Sequence, residues 1–127
     1  MKKYLDNVST FHKTFKVEEN KTPTLLSEND WILRHKLMKE ENQEYLDACA
    51  ENDLVEIADA LGDQLYILCG TILKHGLQDK IEEVFDEIQR SNMSKLDDNG
   101  NPIFRPDGKI LKGTNYFTPN IKSILDA

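Results

Sequence analysis

The sequence predicts an all-α fold: a four-helix bundle-like core with a short C-terminal hairpin or loop tail. Three observations predict it. Apolar residues recur at helical spacing through most of residues 4–95, and only short breakers interrupt them. After Leu96, turn signals replace the helical pattern. Four helices joined by short connections make a bundle or a pair of hairpins.

The first helix is marked by Tyr4, Val8, Phe11 and Phe15 within residues 4–16, and Lys21-Thr22-Pro23-Thr24 ends the pattern. Ser27 precedes Glu28, with Asp30 three residues on, a variant of the capping box, and nothing breaks a helix from there to about Ala50. Asn52-Asp53 opens the third helix, with Asp53 as N-cap and Glu56 at the third helical position. His75-Gly76 closes that helix, since glycine tolerates the left-handed backbone a C-terminus needs. A fourth helix runs from about Asp79 to Lys95. Asp98-Asn99-Gly100 and Pro106-Asp107-Gly108 are turns, and Ile103-Phe104-Arg105 and Lys109-Ile110-Leu111 flank the second as a small hairpin. Such a ribbon is marginal alone and has to pack on something. Pro119 to Leu125 closes the chain with one short helix.

The chain has 127 residues, one domain's worth, so residues 1–127 are expected to form a single domain. Hydrophobic residues make up 39% and charged residues 31%, a balance that excludes a disordered chain. No apolar run approaches the roughly 20 residues of a membrane span, and no apolar stretch follows the first lysines, so the expected location is the cytoplasm. The formal net charge of −7 argues against a broad basic face for duplex nucleic acid. The charge is also uneven: residues 1–89 carry −9 and residues 90–127 carry +2. Cys49 and Cys69 form no CxxC and read as reduced core residues.

The acids of the two central helices carry the chemistry. At about 100° per residue, Glu40, Glu41 and Glu44 fall on one arc with Leu33, Leu37 and Ala48, whereas Lys36, Lys39 and Gln43 take the solvent side. Glu56, Asp59 and Asp63 share an arc of about 60° with Gly70, opposite a core face of Ala58, Leu61, Leu65, Leu68, Cys69 and Ile72. Carboxylates crowded across a helix pair repel one another, and burying them unpaired is costly. A divalent cation resolves both problems, and hard oxygen donors at this density suit Mg²⁺ or Mn²⁺. Each motif has a plainer reading: Glu-Glu-x-x-Glu as a solvated face, Glu56 as a capping residue, Asp59 as a partner for a lysine. The joint pattern is harder to dismiss. Di-iron ligation is excluded, because it uses Glu-x-x-His and the residues three before His12, His35 and His75 are Ser9, Ile32 and Ile72.

Glu40-Glu41-x-x-Glu44 followed by Glu56-x-x-Asp59 resembles the signature of the all-α nucleoside triphosphate pyrophosphohydrolases, which include MazG-like proteins, dimeric dUTPases and phosphoribosyl-ATP pyrophosphohydrolases. The resemblance is closer to one branch, the small phosphoribosyl-ATP pyrophosphohydrolase-like proteins, through Phe11-His12-x-x-Phe15, Ala58-Asp59-Ala60-Leu61-Gly62-Asp63-x-Leu65-Tyr66, Gly70-Thr71, Arg90-Ser91-Asn92-Met93-Ser94-Lys95 and Asp107-Gly108-Lys109-Ile110-Leu111-Lys112. The resemblance implies Mg²⁺, with Mn²⁺ as a substitute, held by Glu41, Glu44, Glu56 and Asp59. It makes Glu40 catalytic, as a ligand of a second ion or as the base orienting the attacking water. Asp63 is placed with the substrate or the metal shell. Some relatives set their motif so that Asp63 would be its aspartate, but Ala60 then stands where the glutamate belongs. Asn92, Lys95, Lys109 and Lys112 are expected on the substrate's phosphates or base, with surface lysines as the plain alternative. Phe11 and His12 are candidates for a base pocket, Phe11 also for the core.

The expected reaction is metal-dependent hydrolysis of a nucleoside triphosphate between the α and β phosphates, yielding a nucleoside monophosphate and pyrophosphate in nucleotide-pool housekeeping. The alternatives are a phosphoribosyl-ATP pyrophosphohydrolase of histidine biosynthesis and a non-enzymatic helical interaction module. The apolar surface of the central helices, together with the resemblance, suggests a homodimer, possibly a tetramer, with a nucleotide substrate and no nucleic-acid or membrane partner.

Overall fold

In a computed structural model covering residues 1–127, the first helix, α1 (Lys2–Thr14), forms because Leu5, Val8 and His12 fall on one side and are buried there. It ends at Phe15, and Lys16 takes a left-handed backbone (φ 58°) that lets the Val17 N–H close onto the His12 carbonyl at 2.8 Å. α2 (Glu28–Ala50) and α3 (Leu54–Lys74) make a hairpin through Glu51-Asn52-Asp53. Asn52 is left-handed (φ 55°), and the N–H groups of Asn52 and Asp53 return to the carbonyls of Cys49 and Ala48. Asp53 caps α3 as expected, its Oδ1 accepting the Glu56 N–H at 3.1 Å. Ser27 precedes α2 in extended backbone, but its side chain makes no cap bond, so the expected capping box is absent there.

α3 ends at His75-Gly76 in a Schellman turn: Leu77 N–H bonds the Ile72 carbonyl and Gly76 N–H the Leu73 carbonyl. Gly76 has φ 68°, and a Cβ there would run into the Thr22 backbone, so only glycine fits. The loop after α1 is tied to this end of α3 by Asn20, whose backbone N–H reaches the Leu73 carbonyl and whose amide reaches the Lys74 carbonyl. α3 packs against both α1 and α2 and is the central helix of this part of the molecule.

The chain forms two compact units, Met1–Asp79 and Lys80–Ala127. Every buried apolar residue (Leu5, Val8, Ala48, Ala60, Cys69, Ile72 and Leu73) belongs to the first. The second contains α4 (Ile81–Met93) and the short α5 (Ile121–Asp126), which pack on each other. Its one buried side chain is polar: Ser91, whose Oγ donates to the Phe117 carbonyl at 2.7 Å. The expected hairpin is reduced to a single antiparallel bridge between Phe104 and Ile110, with Arg105 N–H bonded to the Lys109 carbonyl and Leu111 N–H to the Ile103 carbonyl. No strand forms, and the architecture is all-helical.

Candidate active site

α2 and α3 pack side by side, and the small residues Ala48 and Ala60 are buried in the same neighbourhood as the acids. Glu41, Glu44 and Asp63 converge: one carboxylate oxygen from each lies within 4.8 Å of the others. Oε2 of the half-buried Glu41 is shielded from solvent and has no hydrogen-bond partner. Loss of hydration, then the Glu44 carboxylate, then the charges of Asp63 and Asp59 push the Glu41 carboxyl up to about 7. Burial raises Asp63 as well, helped by the charges of Asp59 and Glu44.

Glu44 also belongs to a second feature. A cavity of about 180 Å³ adjoins it, lined by Glu44, Asp47 and Glu51 from the α2 side and by Glu56 and Asp59 from α3. Of the residues singled out from the sequence, Glu41, Glu44 and Asp63 are thus brought together, and Glu56 and Asp59 face Glu44 across the cavity. Glu40 is exposed and lines neither feature. Asp47 and Glu51 were missed, although they continue the acidic series of α2 at i+3 and i+7 from Glu44. The donor set is all carboxylate, and the orphaned Glu41 oxygen is the kind of atom a hard cation satisfies, so the residues fit a divalent metal.

The expected phosphate-binding residues lie in the other unit. Asn92 is exposed on the last turn of α4. Lys95 follows that helix, and its carbonyl accepts the Gly113 N–H at 2.8 Å. Lys109 donates its backbone N–H to Asp107, and the Lys112 ammonium stands 4.7 Å from the centre of the Tyr116 ring. His12 is not open to a ligand. It is 3% exposed, and its Nδ1 meets Glu19 Oε2 at 2.9 Å while Ser9 Oγ donates to Oε1. Its other face looks at Gly70, where a Cβ would come 3.2 Å from His12 Nε2 and 2.6 Å from Arg34 Nη2. Arg34 in turn donates to Thr71 Oγ1 and the Ile67 carbonyl, binding α2 to α3.

The family model described as phosphoribosyl-ATP pyrophosphohydrolase matches residues 8–92. The chain belongs to this family. The matched stretch takes in α1 from Val8, both central helices with all their acids, and α4 as far as Asn92. Phosphoribosyl-ATP pyrophosphohydrolase family members fall within the all-α NTP pyrophosphohydrolase superfamily, and the activity class is that of a hydrolase acting on phosphoric anhydrides. Among solved structures, the crystal structure of a presumed NTP pyrophosphohydrolase from Exiguobacterium sp. 255-15 is similar in fold. It shares 24% identity with this family member at a TM-score of 0.54, over 97% of this chain and 94% of that one. No curated protein matches the chain. No helix is long and apolar enough to cross a membrane.

Proposed function

We propose that the protein hydrolyses a nucleoside triphosphate between its α and β phosphates, releasing a nucleoside monophosphate and pyrophosphate. The observation that carries this reading is the convergence of Glu41, Glu44 and Asp63 around a shielded, unpartnered carboxylate oxygen, in a chain of this family. Glu41, Glu44 and Asp63 would hold Mg²⁺ or Mn²⁺, with Glu56 and Asp59 across the adjoining cavity. The metal, when bound, supplies charge neutralisation of the phosphates and lowers the pKa of a bound water.

The chain's own groups do the rest. Glu40, exposed and next to Glu41 in sequence, is the proposed base: its carboxylate takes a proton from water as the water oxygen bonds to the α-phosphorus. The bond from that phosphorus to the bridging oxygen breaks, and the electron pair leaves with pyrophosphate. Lys95, Lys109, Lys112 and Asn92 are proposed to neutralise and orient the phosphates. A cytoplasmic role in clearing nucleotides completes the reading.

The α2–α3 pair also has a flank without acids. A groove of about 620 Å³ runs along it, floored by Met38, Leu61, Leu65 and Leu68 and rimmed by His35 and Lys39. Leu61 is 48% and Leu68 41% exposed. This apolar surface supports the proposal that two copies pair through it.

Release of pyrophosphate from a panel of nucleoside triphosphates, with Mg²⁺ and with EDTA, tests the activity. Turnover of at least one nucleotide, lost in EDTA, is expected. Turnover of phosphoribosyl-ATP alone would favour the substrate in the family's own description.

A further inference from the structure

α2 lacks the usual means of fixing its place along a neighbouring helix. Of its 23 residues only Ala48 is buried, so no large apolar side chain of α2 is sunk as a knob into a hole on α3. Trp31, Ile32 and Leu33 are half-exposed. A contact made of small and half-wet side chains slides along the helix axis at little cost. The convergence of Glu41 and Glu44 with Asp63 nevertheless belongs to one offset. Their oxygens stand within 4.8 Å of one another, and a slip of one helical turn, about 5.4 Å, would carry Glu41 and Glu44 away from Asp63.

Arg34 supplies a directional tie. Its Nε donates to Thr71 Oγ1 at 3.0 Å and its Nη2 to the Ile67 carbonyl at 3.0 Å, while Thr71 Oγ1 donates to that same carbonyl at 2.9 Å. The three bonds close a ring over one turn of α3, and the guanidinium cannot step along α3 without breaking two of them. The fold keeps room for this fork. A Cβ on Gly70 would come 2.6 Å from Arg34 Nη2, so a glycine stands inside a helix that it weakens. No carboxylate compensates the charge: loss of hydration alone pulls the Arg34 pKa down. Arg34 is held by neutral acceptors, and the shape of its fork matters more than its charge. It precedes Glu41 by seven residues, and Thr71 follows Asp63 by eight, which puts the tie two turns from the acids on both helices. A second tie, from Gln64 Nε2 to Asn42 Oδ1 at 3.1 Å, joins neutral groups on the exposed flank, where water competes for it.

We infer that Arg34 is a positioning residue: its fork on Ile67 and Thr71 fixes how far α2 stands along α3, and through that offset sets Glu41 and Glu44 opposite Asp63. It acts through two turns of rigid helix and lines neither the acidic cluster nor the adjoining cavity. The consequence for metal binding rests on the reading of these acids as a metal site. The offset itself does not.

Two measurements test it. The first, in EDTA, reads by pulsed EPR the distance between nitroxide labels on Lys36→Cys and Val55→Cys, exposed positions of α2 and α3. Cys49→Ser keeps the label off the half-buried cysteine, and Cys69 is buried. The labelled parent should give one narrow distance, which Arg34→Met should shift or broaden by several ångströms, toward the length of a turn. The second measurement reads Mn²⁺ binding from the EPR signal of the free ion, and Arg34→Met should weaken it about 10-fold or more. Thr71→Val keeps the size of the side chain and removes the hydroxyl; it should move both readings the same way, and it stands in if Arg34→Met does not fold. Leu73→Ala, a core truncation on the same helix, should lower the melting temperature yet move neither reading in the folded protein. An unchanged distance in folded Arg34→Met, or in Thr71→Val where Arg34→Met does not fold, overturns the inference. So does a changed distance with parent Mn²⁺ affinity, or an equal change in Leu73→Ala. The two readings fail separately: a distance that Arg34→Met moves, in a protein whose parent binds no Mn²⁺, upholds the positioning and sinks the metal site.

Discussion

Glu44 stands in both acidic groups, so its neutralisation reaches further than that of any neighbour. Glu44→Gln is expected to abolish pyrophosphate release and to leave a folded protein. In EDTA it should melt no lower than the wild type, because a repulsive charge has gone. The rise in melting temperature that Mg²⁺ gives the wild type should disappear, since binding to the folded state alone is what raises it. Turnover at the wild-type rate in this variant would remove Glu44 from the site. A second expectation concerns His12. Burial, the largest influence, pulls its pKa below the usual 6.5, with Arg34 and Lys74 adding to the effect and Glu19 opposing it. The unfolded chain therefore takes up a proton near pH 6.5, and the folded protein takes it up only at lower pH, so the native state loses stability as pH falls below 6.5. The raised Glu41 works the other way in metal-free protein: stability is gained as pH falls from about 7 toward 4.5. Urea midpoints between pH 8 and 5 should thus decline less for His12→Gln than for the wild type, and more for Glu41→Gln. Identical slopes in all three would show that neither group titrates differently on folding. At this scale the sequence announced Glu41 and Glu44 by spacing. It could not set Asp63 beside them, because that depends on how far α2 and α3 are offset along each other. Asp47 and Glu51 were readable, as further members of the same acidic series.

Capping shows what an element's sequence can and cannot disclose. Asp53 and Ser27 carry comparable signals, yet only Asp53 makes its bond, to Glu56 N–H, while Ser27 leaves the start of α2 uncapped. Asp53→Ala should cost about 1 kcal/mol and lower the melting temperature by roughly 3–5 °C, with Ser27→Ala inside about 0.5 kcal/mol of the wild type. Equal losses by thermal melting would contradict the observed caps. The three helices of the first unit were legible to within a few residues because the apolar spacing and the breakers agree. His75-Gly76 was legible because glycine is the residue most at ease in a left-handed C-terminal turn, although the Thr22 backbone that excludes any Cβ there was not. The hairpin after Leu96 was over-read. Two short apolar triplets around a turn satisfy a pattern, but only one bridge forms between them.

The whole molecule leaves much apolar surface outside its core, with Trp31 49%, Leu46 59%, Leu61 48% and Leu68 41% exposed on the α2–α3 pair. A dimer is the expected mass by light scattering at micromolar concentration, and Leu68→Glu should shift it to the monomer with helicity unchanged. A monomeric wild type would leave that surface to another partner. The two units also differ in what holds them. Met1–Asp79 is organised around apolar side chains sealed from water, whereas in Lys80–Ala127 the one fully buried side chain is Ser91, bonded to the Phe117 carbonyl, and the apolar residues are at most half-buried. Cooperative unfolding is bound to burial, so the two should not open together. Amide protons of α4 and the tail should exchange with solvent at a free energy well below that of α3. A protease should find the stretch around Asn99-Gly100 while the acidic helices are still intact. The lysines proposed to meet the phosphates thus ride on the part of the chain that is least costly to loosen, and a bound triphosphate, by holding them, would slow that exchange more than any other in the molecule.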